Sequence, residues 1–234
     1  MECQLYLRLI ISSAILTAFM ALAVIPPVAI AGHSVDWPRG WFAITLVYIA
    51  QIGIGLWLAR VNPRLLKERT TFPKKVDEQD IWATVFLVIC VFLYFAGTAL
   101  DAKAWHMTPH TGAFTSVLRG LFLFLCGVAL VVWTISVNPF ATPTVQVQED
   151  QHQYVVDTGP YAFIRHPMYL GLMMCFAGLS LILGSNLFAI LAIPLVLLGF
   201  WPRMVEEEQT LSTKLPGYKG YRKQVRHRIF PWIY

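Results

Sequence analysis

Long apolar blocks separated by short polar segments set the rhythm of this chain. Residues 9–35, 40–59, 81–100, 120–148 and 168–202 contain no Asp, Glu, Lys or Arg. A helix that crosses a bilayer takes about 20 such residues, so the first four blocks predict helices near 9–31, 41–59, 81–100 and 120–140. Pro26-Pro27 should kink or end the first of these. The last block is too long for one span. As a single helix its roughly 35 residues would run to ~52 Å, against a hydrocarbon thickness of ~30 Å. Gly184-Ser185-Asn186 sits at its middle and signals a turn, which predicts a tight helical hairpin with short arms near 168–183 and 187–202. The expected architecture is an all-α, polytopic transmembrane bundle of about six helices. It divides into N-terminal membrane helices over 1–141 and a region over 142–234 made of connector, hairpin and folded-back tail.

Composition agrees with that pattern. Of the 234 residues, 57% are hydrophobic and 13% charged, whereas soluble domains carry about 25% charged residues. The charges are also sorted. With the N-terminus in the cytosol, the inner segments hold Arg8, the Lys and Arg of 60–75, Arg165 and the basic tail. Only Arg39, Lys103 and Arg119 fall outside. That asymmetry obeys the positive-inside rule and puts both termini on the cytosolic face. The net charge of +5 then reflects topology and anionic membrane lipid, with no nucleic-acid partner implied. The first apolar stretch is too long, and lacks a small-residue cleavage site, for a cleaved signal peptide, and reads as a retained span. Cys3, Cys90, Cys126 and Cys175 show no metal or redox spacing, and the three in apolar segments read as buried thiols.

Between the second and third spans lies Asn62-Pro63-Arg64-Leu65-Leu66-Lys67-Glu68-Arg69. Asn62 can cap a helix that starts at Pro63, with Leu65 and Leu66 turned to lipid and the cations to phosphates, as in an interfacial helix. The outer loop after the third span holds Asp101, His106 and His110. Pro109 breaks up the histidine pair and no further soft ligand is nearby, so a solvated loop is expected there and no metal. The polar run from Glu149 to Gln153 belongs to a cytosolic connector.

Chemistry concentrates after that connector. Thr158-Gly159-Pro160-Tyr161 leads into Arg165-His166-Pro167-Met168-Tyr169-Leu170-Gly171 at the mouth of the hairpin. Beyond the hairpin come Arg203, the run Glu206-Glu207-Glu208, Leu211, and Tyr218 and Tyr221. The two tyrosines, three apart, should share a helix face, and Arg203 and Glu207, four apart, can pair along a helix. Three consecutive carboxylates suit an anionic inner leaflet poorly and call for a local cationic or hydrogen-bonding partner.

This ordered set resembles the motif shared by isoprenylcysteine carboxyl methyltransferases and phospholipid methyltransferases of the bacterial type, over about 140–234. The earlier part is similar only through Asn62-Pro63 and Asn138-Pro139. The resemblance implies a bacterial inner-membrane enzyme that uses S-adenosyl-L-methionine on a lipophilic small molecule or lipidated substrate. Carried over, Gly159, Tyr161, His166, Tyr169, Gly171, Glu208, Tyr218 and Tyr221 would bind the cofactor. Arg165, Arg203 and Glu207 would stand at the reaction centre. One departure is Leu215-Pro216-Gly217, where eukaryotic members carry Phe-Gly, so eukaryotic substrate identity does not transfer. Two other readings stand beside this one. One is a sterol-type, NADPH-dependent membrane reductase, which shares Arg165-His166 and the ending from Arg228 to Tyr234. The other is a non-enzymatic membrane scaffold.

Overall fold

The computed structural model of the protein describes residues 2–71, 78–108, 112–142 and 152–230. Its helices are α1 (Glu2–Ile30), α2 (Pro38–Val61), α3 (Pro63–Arg69), α4 (Glu78–Leu100), α5 (Ala113–Val137), α6 (Pro167–Leu183), α7 (Asn186–Lys214) and α8 (Tyr218–Gln224). There is no strand among the described residues. α1, α2, α4, α5 and α7 are long and apolar enough to cross a membrane, and α6 is a shorter apolar helix. The chain is an all-α, multi-pass bundle. The polar run from Glu149 to Gln151, His110 of the histidine pair and the ending after Phe230 lie outside the described residues.

The hairpin is built from local signals. Pro167 occupies the first turn of α6, where its missing N–H costs nothing and its φ suits a helix. At the other end Gly184 adopts φ +113°, a backbone that only glycine takes without strain. Ser185 then caps α7, its hydroxyl accepting from the Phe188 N–H at 3.0 Å.

α5 and α6 approach each other through glycine. A Cβ on Gly120 would lie 2.5 Å from the Gly178 carbonyl oxygen, and one on Gly127 would lie 2.6 Å from that of Gly171. The pairs recur at the same spacing on two antiparallel helices, so both contacts fall on one seam. Small residues allow this closeness between membrane helices and gain dispersion contact over the whole seam. Gly171 is therefore a packing residue, and the mouth of the hairpin is anchored to α5. The core beyond the seam draws on every long helix, with Val24, Ala43, Tyr94, Phe124, Ile182 and Ala192 all buried in one cluster.

Polar side chains tie the bundle at two levels. In the interior the Tyr94 hydroxyl donates to the Phe188 carbonyl at 2.8 Å and lies 2.7 Å from Ser180 Oγ, linking α4, α6 and α7. At the hairpin turn, Arg39 donates from Nε to the Ile182 carbonyl at 2.7 Å and from Nη2 to that of Leu181 at 3.0 Å. It thereby satisfies the open C-terminal carbonyls of α6.

Several expectations need correction. Pro26-Pro27 do not end α1, which continues through them to Ile30. The second hairpin arm is not short. α7 continues through Pro202 to Lys214, roughly 44 Å of helix at ~1.5 Å per residue, because Arg203 and Glu208 make side-chain bonds beyond the proline that hold the next turns. Asp101 is not in a solvated loop. α4 extends by a π-helical turn over Asp101–Trp105, which buries Asp101 where its carboxylate accepts from Ser185 Oγ and from the Met107 N–H at 3.0 Å. Leu65 and Leu66 do not face lipid. Both are buried against Leu9, Leu58, Val131 and Ile135, so the capped α3 docks on the bundle by its apolar face. Of the three thiols in apolar segments only Cys175 is fully buried.

Candidate functional site

The tail folds back onto the hairpin mouth, and its anchor is a single carboxylate. Glu208 is 2% exposed. Its Oε1 accepts from Arg165 Nε at 2.7 Å, and its Oε2 from Arg228 Nη2 at 3.1 Å. His166 Nε2 lies 3.2 Å from Oε1. Arg165 also donates from Nη1 to the carbonyls of Val225 and Arg226, both at 2.7 Å. Main chain reinforces side chain, since the Arg165 and His166 N–H groups donate to the His227 and Arg228 carbonyls at 3.0 and 2.8 Å. A buried carboxylate between two guanidiniums is costly to desolvate and strongly held once paired. Ile229 completes the closure, buried against Tyr169, Met173 and Phe200.

Glu207, one residue earlier, faces a different environment. Its side chain is 35% exposed. Its Oε2 accepts from the Tyr169 hydroxyl at 2.9 Å and lies 3.8 Å from His166 Nδ1. His166 stacks on Tyr169 at 5.3 Å between ring centres, and Tyr169 stacks on Phe200 at 4.5 Å. Along a helix, neighbouring residues point about 100° apart. α7 thus sends Glu208 into the tail anchor and Glu207 into open space.

That space is a cavity of ≈ 460 Å³, within the range that small-molecule sites occupy. Its walls differ in character. Arg69, Tyr161, Arg203, Glu207, Tyr218 and Tyr221 contribute polar groups, whereas Leu16, Leu87, Met168, Leu172 and Phe200 form an apolar side. The tyrosines are locked in place. Asn138 Nδ2 donates to the Tyr161 hydroxyl at 2.8 Å, and the Tyr221 hydroxyl donates to the Tyr161 carbonyl at 2.9 Å. Burial pushes the Tyr161, Tyr218 and Tyr221 phenols up from their ordinary values, so they remain protonated donors at neutral pH. Tyr218 and Tyr221 pack side by side, 5.7 Å between ring centres, on the face their spacing predicts. Gly217, at φ +85°, makes the turn into α8.

Of the residues expected at a site, the structure brings Tyr161, Arg165, His166, Tyr169, Arg203, Glu207, Tyr218 and Tyr221 to this cavity. Gly159, Gly171 and Glu208 stand behind it. The space a side chain would need at Gly159 is taken by Val137 and Trp133 of α5, and its φ of +59° makes the turn there. Arg203 reaches across to α4, where its Nη1 donates to Thr84 Oγ1 at 3.1 Å. Three contributors were missed by sequence reasoning: Asn138, Arg228 and Arg69. Asn138-Pro139 was visible as a motif without a role. Nothing local marks Arg228, which meets its carboxylate only when the tail folds.

Comparison with known families gives one finding that bears on this arrangement. Residues 115–215 match the family model described as phospholipid methyltransferase. The resemblance read from the sequence over about 140–234 holds within this match as far as residue 215, and the match also takes in nearly all of α5. The family match and the apolar bundle together support a membrane methyltransferase. No curated protein matches the chain.

Proposed function

We propose that this protein transfers a methyl group from S-adenosyl-L-methionine to a lipophilic acceptor at the cytosolic end of its helix bundle. The observation that carries the reading is the cavity itself. Eight residues of a motif scattered over some sixty positions converge on one space whose walls are polar on one side and apolar on the other. The polar aromatic wall of Tyr161, His166, Tyr169, Tyr218 and Tyr221 suits the cofactor. The apolar wall suits an acceptor that arrives from the bilayer. The matched family favours this reading over the sterol-type reductase and the scaffold.

When bound, the cofactor supplies a sulfonium methyl for in-line displacement, which leaves a neutral thioether. The chain's residues contribute alignment, the main source of rate in such a step. They also shield the reacting atoms from water at the membrane edge. Glu207 holds a negative charge toward the cavity, steadied by the Tyr169 hydroxyl. It can face a cationic centre, or accept a proton if the acceptor is an ammonium. Arg203 provides positive charge on the same wall, for a carboxylate acceptor that needs no base. Arg165 has Nε and Nη1 bound to Glu208 and to tail carbonyls, which supports a role in holding the cavity wall and the tail together. Isoprenylcysteine-like carboxylates and lipid amines both fit this arrangement.

Calorimetry in detergent with S-adenosylhomocysteine and with NADPH tests the proposal. S-adenosylhomocysteine should bind and NADPH should not. Binding of NADPH alone would turn the assignment to a reductase. A reporter fused to the C-terminus should read cytosol, and an outside reading would reverse the orientation.

A further inference from the structure

Arg69 stands in the cavity wall, outside the stretch that matches the family model. Its position is built by α3. Asn62 caps that helix, its Oδ1 accepting from the Leu65 N–H at 3.0 Å. Leu65 and Leu66 are buried against α1, α2 and α5. Arg69 follows them by four and three residues, so it shares their inward face. Its Nη1 donates to the Ala141 carbonyl at 2.6 Å, which ties the guanidinium to the start of the connector. Among the described residues no carboxylate forms an ion pair with it. The Tyr161 phenol is the titratable group within its electrostatic reach.

A guanidinium keeps its charge in proteins and has five N–H donors in a rigid fork. Partly buried, with one carbonyl partner, it is short of the anion that would compensate it. Its side chain lines the cavity. The chemistry that fills such a fork is a planar oxyanion gripped at two points.

We propose that Arg69 binds the carboxylate of a ligand held in this cavity. The inference rests on the methyltransferase reading and names a recognition residue within it. Two sources share the chemistry: the amino-acid end of the cofactor and an acidic head on the acceptor.

The test is calorimetry on the full chain in nanodiscs, with S-adenosylhomocysteine in one arm and N-dodecanoylglycine against its uncharged amide in the other. Wild type, Arg69→Gln and Arg69→Lys are compared, with thermal unfolding as the control for folding. If the carboxylate is the cofactor's, Arg69→Gln loses roughly tenfold or more in S-adenosylhomocysteine affinity. If it is the acceptor's, Arg69→Gln loses the preference for N-dodecanoylglycine over the amide and keeps S-adenosylhomocysteine. Arg69→Lys retains part of either, because charge survives without the fork. A folded Arg69→Gln protein unchanged in both arms overturns the proposal. Should the glutamine variant fail to fold, the lysine variant decides, and wild-type affinity in both arms overturns the proposal equally. Preference for N-dodecanoylglycine without any S-adenosylhomocysteine binding would remove the methyltransferase reading and leave the anion site standing. A wild-type protein that binds neither probe overturns both.

Discussion

Glu208→Gln should unfasten the tail. The substitution keeps shape and volume but removes the one negative charge shared by Arg165 and Arg228, which contact the carboxylate at 2.7 and 3.1 Å. Leaving a buried charge without its partner costs about 3–5 kcal/mol, and here the side chain lost is 3% exposed. The consequence spreads along the chain. The tail's main-chain bonds to Arg165 and His166, and the packing of Ile229, depend on the same closure. So does the placement of Tyr218 and Tyr221. The expected result is a marked drop in unfolding temperature in detergent, new protease cleavage after α7, and loss of S-adenosylhomocysteine binding. A Glu208→Gln protein with wild-type melting and an intact tail would show that the anchor lies elsewhere.

Glu207→Gln should do the opposite: little to stability and much to turnover. The side chain is 35% exposed toward the cavity, and its neighbours are the Tyr169 hydroxyl and the His166 ring rather than a guanidinium of the tail anchor. An amide keeps a hydrogen bond from Tyr169 and loses only the charge. Removing one oriented group from a water-poor reaction centre typically costs ~3 kcal/mol or more of barrier. At ~1.4 kcal/mol per decade that is a loss of about a hundredfold or greater. The measurement is turnover with a lipophilic acceptor alongside unfolding temperature, with Glu206→Gln as the control. Near-wild-type turnover of Glu207→Gln would remove Glu207 from the reaction centre. Comparing Glu207 and Glu208 also separates chemistry from architecture, since two adjacent carboxylates on one helix should fail in different ways.

That division of labour was not visible in the run Glu206-Glu207-Glu208. The run announced a need for positive or donating partners, and such partners are there. Which carboxylate takes which partner depends on how α7 is rotated against α6 and on a tail that returns from twenty residues away. Arg228 illustrates the same limit, since its role exists only after the chain has closed on itself.

What the sequence by itself determined is what local physics controls. Span lengths follow from uninterrupted apolar blocks, because a helix in a bilayer must satisfy its own backbone over the full hydrocarbon depth. The hairpin turn follows from Gly184-Ser185-Asn186, the start of α3 from Asn62-Pro63, and the shared face of Tyr218 and Tyr221 from helical spacing. Only the tertiary structure decided where faces point and which helices continue. Leu65 and Leu66 looked lipid-facing because an apolar surface satisfies lipid and protein interior alike. Composition cannot distinguish the two, and packing against α1, α2 and α5 chose the interior, bringing Arg69 with it. The second hairpin arm looked complete near 187–202 because the charge-free block ends at Pro202. The helix continued because Arg203 and Glu208 found partners on other segments, and long-range bonds of that kind leave no mark on the residues that surround a proline.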